Sequence, residues 1–399
     1  MDPLFHDGLD LGVVLFVIAK ALVGFTFVMV GVILMVWFER KAISDIQFRI
    51  GPNRAGPWGL LQTLADGIKL IFKEDTRPEG ANPVLFRLAP YLAVAPAFLT
   101  FTIVPIGGVF DGTRESGTIT LFGHTTYAQV ADPPIGILLL LALSSIAVYG
   151  VMLAGYSSGS KYPLLGSVRA TASMISYEAA LGLSVVAVIL MSGSLSTHDI
   201  VAAQTDRLLL DWNIVQTAIV PFFIFFVAAT AELNRPPFDF AEAEQEIVAG
   251  FHTEYSAIRF GMFYLAEFMN VITMSAIIVT LFLGGPSGPI GPGPEQLYPP
   301  LWFLLKLVVF LFVFVWMRGT LPRFRYDQLM DLGWKRLIPA ALVWLMFLAT
   351  VQVGRDQDWD PWIAPAVGIG LVAVTFALMQ VGLRTSRLSH DERVEAGRA

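Results

Sequence analysis

Runs of roughly twenty apolar residues recur from one end of this chain to the other, which leaves it few ways to fold. A helix of that length crosses the ~30 Å hydrocarbon layer of a bilayer. No water reaches the middle of that layer, so each span must satisfy its own backbone N–H and C=O groups, and a helix does so. The predicted spans are 11–38, 88–110, 134–157, 170–193, 214–233, 260–284, 301–318, 337–353 and 363–383. Only 15% of the residues are charged and 55% are hydrophobic, against about 25% and 45–50% in soluble domains. An oversized soluble core does not explain that deficit in charge. The expectation is an all-α integral membrane protein of about nine transmembrane helices, with one polytopic domain over 1–383 and a cytoplasmic tail at 384–399.

The basic residues indicate which side is which, because cytoplasmic loops carry an excess of Lys and Arg. The connections after the first, third, fifth and seventh spans, together with the tail, hold 21 of the 26 basic residues. The opposite side has Arg114, Arg207 and Arg355, while Lys20 and Lys306 fall inside spans. This predicts an N-terminus outside, a C-terminus in the cytoplasm, and inside loops 39–87 and 234–259 on one shared face. The N-terminus lacks a basic n-region and a small-residue cleavage site, so it does not read as a removable signal. In the first inside loop, from Gly56 onward, Trp58, Leu61, Leu64, Ile68, Ile71 and Phe72 recur at helical spacing. Gln62, Asp66, Lys69 and Lys73 form the opposing stripe, which predicts an amphipathic helix at the membrane interface. An ordinary surface helix fits the same pattern.

Several chemistries are excluded. The chain has no cysteine, so it holds no iron–sulfur cluster and no thiolate metal site. Its histidines, His6, His124, His198, His252 and His390, fall near the chain ends or in predicted loops, which argues against a haem held between helices. No phosphate-cradling or dinucleotide fingerprint is present, and Gly284 to Pro294 reads as a Pro-broken loop. The isolated chain is therefore expected to have no redox activity, no metal and no covalently bound cofactor.

Carboxylates inside spans are costly and mark function or a buried partner. Glu178 and Glu267 lie inside the fourth and sixth spans, Glu39 and Glu232 stand at the inner ends of the first and fifth, and Lys306 lies inside the seventh. Pairing of Glu178 or Glu267 with Lys or Arg to lock helices together is the plainer alternative. The loop from Glu232 to Glu246 interleaves carboxylates with Phe, Ala and Pro: Glu232, Asp239, Glu242, Glu244 and Glu246 share it with Phe238 and Phe240. In a helix Glu242 and Glu246 would share a face, with Glu244 turned away. Carboxylates crowded at low dielectric cannot all ionise near neutral pH, so such a cluster suits holding and passing protons and repels anions. The last inside loop has the opposite sign, with Arg318, Arg323, Arg325, Lys335 and Arg336. It anchors the topology, and the arginines flanking Phe324 could also face the acidic loop or steady a negatively charged ligand headgroup.

Four segments together resemble one family, the H subunits of proton-translocating NADH:quinone oxidoreductase, bacterial counterparts of the ND-one component of mitochondrial complex I. They are Glu39-Arg40-Lys41 through Gln47-Phe48-Arg49-Ile50-Gly51-Pro52-Asn53-Arg54 to Ala65-Asp66-Gly67-Ile68-Lys69; Ser160-Lys161-Tyr162 through Arg169-Ala170 to Ile175-Ser176-Tyr177-Glu178; the Glu232 to Glu246 loop with Val248 to Ser256; and Pro322-Arg323-Phe324-Arg325-Tyr326-Asp327-Gln328-Leu329-Met330. They span nearly the whole chain in the family's order. The resemblance implies a membrane subunit that forms much of the quinone chamber and a carboxylate funnel coupling quinone reduction to proton translocation. Quinone is then the substrate, and FMN and iron–sulfur clusters sit on partners. Those partners are soluble iron–sulfur subunits at the cytoplasmic face and neighbouring membrane subunits, and the location is a bacterial plasma membrane.

By position, the resemblance assigns Glu39, Arg40, Arg49, Arg54, Trp58, Asp66 and Lys69 to the entrance and chamber, with Phe238, Phe251 and Arg323 lining or supporting it. It assigns Glu178, Glu232, Asp239, Glu242, Glu244, Glu246, Glu254 and Glu267 to proton coupling. Leu233 and Ala241 replace the Thr and Pro of the family pattern. Ser145 stands where some relatives carry a Glu, so Ser145 with water would have to substitute there. Two rival readings are the homologous membrane component of an energy-converting hydrogenase and a stand-alone proton-coupled transporter, which Glu178, Glu267 and Lys306 would also suit.

Overall fold

The computed structural model describes residues 2–5, 10–114, 116–121, 123–205, 210–240, 244–290, 292, 294–359, 363, 365–370 and 372–374. In chain order, the helices are α1 (Leu11–Ile46), α2 (Gln62–Phe72), α3 (Pro83–Phe101), α4 (Gly136–Ser157), α5 (Lys161–Ser192), α6 (Thr197–Ala202) and α7 (Asn213–Gln216). They continue with α8 (Val220–Glu232), α9 (Glu244–Ile247), α10 (Ala257–Phe282), α11 (Tyr298–Thr320), α12 (Tyr326–Leu332) and α13 (Ile338–Asp356). A two-stranded antiparallel hairpin, β1 (Thr118–Leu121) and β2 (His124–Tyr127), sets Thr118 opposite Tyr127.

Among the described residues, seven helical segments are long and apolar enough to cross a membrane: Leu11–Ile46, Pro83–Phe101, Gly136–Ser157, Lys161–Ser192, Ala257–Phe282, Glu295–Thr320 and Tyr326–Asp356. They stand at seven of the positions predicted from hydropathy. At the fifth, the helix is shorter. The chain breaks at Ala218 and Ile219, both with positive φ, and restarts as α8 with Pro221 in its first turn. Thirteen residues rise about 20 Å, too little to cross the hydrocarbon alone, and α8 is buried against α5. At the ninth, 363, 365–370 and 372–374 are helical, while the remainder of 363–383 and the tail 384–399 lie outside the described residues.

Boundaries moved where local chemistry is strong. α3 begins at Pro83 because the Asn82 side chain accepts the Val84 and Leu85 N–H groups at 3.1 and 3.3 Å. α12 continues into α13 through a π-helical turn, Gly333–Leu337. The amphipathic helix starts at Gln62 rather than Gly56, because Pro57–Gly59 forms a 3-10 turn with Trp58 at φ 52°.

α10 is the central post, and Phe268, Met269 and Ile277 on it pack with Val32 and Met35 of α1, Leu181 and Val185 of α5, and Phe225 of α8. Two glycines let backbones meet. A Cβ at Gly150 of α4 would stand 2.8 Å from the Ala93 nitrogen of α3. One at Gly166 of α5 would stand 2.7 Å from the Gly250 Cα, so α5 seats the loop that follows α9. The connections divide between two ends. At one, loops 47–82, 233–256 and 318–337 knit together: the Thr76 N–H donates to Ser256 Oγ at 2.9 Å, and the Phe324 N–H donates to the Pro237 carbonyl at 3.1 Å. At the other, Lys20 pairs with Asp2 at 3.0 Å and donates to Thr126 of β2 at 2.7 Å.

Candidate functional site

Adjacent residues on a helix point about 100° apart, and near the end of α1 this separates Glu39 from Arg40. Glu39 turns inward and is buried, and its two oxygens accept from Arg235 Nη1 and Arg318 Nη1. Arg235 also reaches α10, where its Nε lies 2.8 Å from Glu267 Oε1 and its guanidinium sits 4.4 Å from the Phe268 ring centroid. Only 3% of Arg235 is exposed. Burial disfavours its charge, but Glu267 and Glu39 more than offset that, so the guanidinium is held protonated. Two carboxylates and two guanidiniums balance at the meeting of α1, α10, α11 and the acidic loop.

The loop after α8 folds back into the protein, and this is what delivers Arg235. Asn234 adopts φ 50°, and the Phe238 N–H donates to the Arg235 carbonyl at 2.8 Å. Phe238 is buried and stacks on Phe324, with ring centroids 5.6 Å apart. Further on, Arg169 Nη1 lies 2.7 Å from Glu246 Oε2 and Arg323 Nη2 lies 3.3 Å from Oε1. The Arg169 hydrogen bond holds the Glu246 carboxyl below the usual carboxylate range. Of the arginines flanking Phe324, Arg323 faces the acidic loop, whereas Arg325 pairs with Asp327 at 3.2 Å on the surface.

Three cavities follow one another from this end into the protein. The outer one, of 580 Å³, is lined by Glu39, Arg40, Arg49, Tyr264 and Arg318. A second, of 80 Å³, shares Tyr264 with it and adds Glu267, Glu232, Asn234, Phe251 and His252. A third, of 30 Å³, shares Glu232 and Asn270 and adds Ser144, Thr100 and Thr273. Each is large enough for at least one water, and polar atoms without a protein partner face this region: Glu232 Oε2 and Thr273 Oγ1 are buried without a hydrogen bond. One residue beyond Ser144, Ser145 donates to Glu178. Burial pushes His252 down to about 4, so the imidazole on the second cavity is neutral near pH 7.

Asp66 on α2 accepts from Arg40 at 2.6 Å and Gln62 at 3.1 Å, with Lys69 3.6 Å away. Burial raises its pKa, but Arg40 outweighs that and holds the carboxyl below its ordinary value. The apolar stripe Leu61, Leu64, Ile68, Ile71 and Phe72 is exposed. Arg54 and Trp58 are exposed on the same end and line none of the three cavities, and the Trp58 carbonyl accepts from Trp37 at 3.0 Å. Asp239 lies within electrostatic reach of Glu267, and Glu254 is half-buried. Glu244 opens α9, while Glu242 lies outside the described residues, as does the face it was expected to share with Glu246.

Sequence reasoning did not single out Arg235, Tyr264, Asn270 or Thr273, and it gave Arg318 only an anchoring role. A signal existed for Arg235: one cation set among Asn234, Pro236, Pro237 and Phe238, within reach of many carboxylates. Lys306 belongs elsewhere. Its Nζ donates to the carbonyls of Leu283, Gly285 and Ser287 at 2.7, 3.0 and 2.7 Å, capping the far end of α10. Among the described residues no group of His, Asp and Glu could hold a metal ion.

A family model described as NADH dehydrogenase matches residues 19–349. A Streptomyces avermitilis protein, named as the H subunit of NADH-quinone oxidoreductase, is 48% identical over 365 residues, covering 90% of this chain and 78% of its own length. Proteins of the same name from Frankia casuarinae and Frankia alni are 48% and 46% identical over 363 and 386 residues. They cover 89% and 94% of this chain and 77% and 82% of their own lengths.

Proposed function

The chain belongs to the family of NADH-quinone oxidoreductase H subunits, membrane components of an H+-translocating enzyme complex, and from that premise we propose that it receives the quinone headgroup and couples its reduction to proton movement. The outer 580 Å³ cavity is the headgroup chamber, and Arg40, Arg49 and Arg318 supply its positive edge. Quinone takes up two electrons and two protons to become quinol. The electrons come from partner subunits carrying iron–sulfur clusters and flavin, since a chain without cysteine has no means of holding a cluster. Negative charge arriving on the headgroup is offset by those arginines.

The observation that carries the reading is the run of carboxylates leading inward from that chamber. Glu39 lines the first cavity, Glu267 and Glu232 the second, Glu232 the third, and Glu178, which accepts from Ser145, lies within electrostatic reach of Glu232. Glu246, Asp239 and Glu254 belong to the loop side of this run, and Glu242 and Glu244 join the proposal by their place in the sequence alone. The orphaned oxygens of Glu232 and Thr273 favour ordered water that relays protons between them. The membrane is the bacterial plasma membrane, with 39–87 and 234–259 as the quinone-side face in the cytoplasm and soluble partners covering it. The exposed stripe of α2 lies at the lipid boundary, where a quinone tail approaches. Lys306, a helix cap, no longer supports a stand-alone transporter, and the relatives' names favour the quinone branch over a hydrogenase.

Mild-detergent purification of the tagged chain tests this. Flavin, iron–sulfur subunits and NADH:quinone activity should co-purify. A nickel–iron subunit, or a stable cofactor-free chain purifying alone, would overturn it.

A further inference from the structure

We propose that Arg235 is a positioning residue that ties Glu39 and Glu267 into a single two-sided switch in the wall between the outer cavity and the buried carboxylates. The inference rests on the proton-coupling reading above and names a control element within it. Glu39 lines the outer cavity and Glu267 the second, and Arg235 stands between them.

The geometry gives this guanidinium a choice. Nη1 donates to Glu39, while Nε lies 2.8 Å from Glu267 Oε1 without making a hydrogen bond. Nη2, which shares an edge with Nε, is buried and has no hydrogen-bond partner. A guanidinium is a rigid fork whose two edges can each grip a carboxylate bidentately. Here the Nε and Nη2 edge makes no hydrogen bond. If Glu39 takes up a proton, the Nε and Nη2 edge is free to close on both oxygens of Glu267. If Glu267 is protonated, the remaining pull is toward Glu39. Phe268 forms a floor 4.4 Å below and keeps the movement in the plane of the fork.

The surrounding charges make the two carboxylates unequal, as a switch requires. Glu39 has a second ion-pair partner, Arg318 of α11, whereas among the described residues Glu267 pairs with Arg235 and feels Arg318 from farther away. Arg40 of α1 is committed to Asp66, Tyr264 of α10 lines both cavities, Asp239 of the loop is within electrostatic reach of Glu267, and Glu232 of α8 lines the second cavity with it. A proton reaching Glu267 therefore releases Arg235 toward Glu39, and one on Glu39 tightens Arg235 on Glu267. The two share one cation between them. A proton passes the wall only when the fork changes partner.

The test is Arg235→Lys in the assembled complex. An ammonium is a compact point charge and cannot hold both carboxylates at once. The expected result is a shift of about one unit or more in the pH profile of quinone reduction, with fewer protons moved per NADH and the quinone KM changed by less than about twofold. An unchanged profile and proton ratio would overturn the proposal, as would an effect confined to KM. Should that variant not assemble, the pair Glu39→Gln and Glu267→Gln decides. Coupled carboxylates predict that the double variant resembles either single one, and additive changes would sink the idea. The broader reading is separable: Glu232→Gln with normal proton movement would undo the carboxylate path, whereas a defective Glu232→Gln beside a silent Arg235→Lys would remove only the switch.

Discussion

Replacing Glu39 with Gln should loosen the acidic loop far more than its surface neighbours would suggest. The side chain is nearly isosteric, so little packing changes, but the local charge goes from balanced to one positive in excess. The amide oxygen can still accept from one arginine, while its NH2 meets another donor. Breaking a buried ion pair from one side costs about 3–5 kcal/mol, because the remaining charge is left uncompensated. Two features place this case at the low end. Arg235 keeps Glu267 at 2.8 Å, and the Arg318 side chain, 32% exposed, can turn toward water. About 3 kcal/mol corresponds to roughly a hundredfold change in an opening equilibrium. The readout is hydrogen exchange in the detergent-solubilised complex at the amides of Phe238 and Phe240, which donate to the carbonyls of Arg235 and Phe238. They should exchange about a hundredfold faster in the variant, with the amides of β1 and β2 at the far end unchanged. Exchange within about twofold of wild type would refute the claim that Glu39 holds the loop.

Other expectations follow from single contacts. Lys306→Met removes three hydrogen bonds to carbonyls at the end of α10, costing about 2–3 kcal/mol locally. It should speed exchange at Leu283 and Gly285 yet leave the proton ratio intact, since that end lies about 24 Å along the helix from Glu267; a collapsed ratio would contradict it. In a double-mutant cycle, Phe238→Leu and Phe324→Leu should show a coupling of about 0.5–1.5 kcal/mol, and zero coupling would mean that the stack does not join the two loops. His252, at about 4 when folded and 6.5 when free, binds fewer protons in the native state between those values. Stability from this residue is therefore complete above about pH 6.5 and is lost as pH falls toward 4. Melting of the complex across that window should show a steeper rise with pH in wild type than in His252→Gln, and parallel curves would count against a buried neutral imidazole.

Apolar runs made the helical, membrane-spanning character of this architecture readable, because a bilayer forces them into the sequence. The exposed stripe of α2 was equally plain, although Pro57 and the turn at Trp58 delay the helix. What the pattern hid depended on folding in three dimensions. Hydropathy sees 214–233 as one span, yet the backbone turns at Ala218 and Ile219 and leaves α8 short. A charged loop residue usually reads as solvated, and only the return of the chain after Asn234 shows that Arg235 is buried. Lys306 looked like an intramembrane charge and proved to cap α10, a role set by carbonyls that no residue spacing reveals. Ser145, which stands where some relatives carry a Glu, donates to Glu178, a partner that spacing along the chain does not reveal.

The most direct test of the central claim is the number of protons moved per NADH oxidised by the assembled complex in proteoliposomes, comparing wild type with Glu232→Gln. The account predicts that the variant assembles and still reaches quinone with its electrons, but moves clearly fewer protons, because Glu232 borders both inner cavities. A Glu232→Gln complex with the wild-type proton ratio would contradict it.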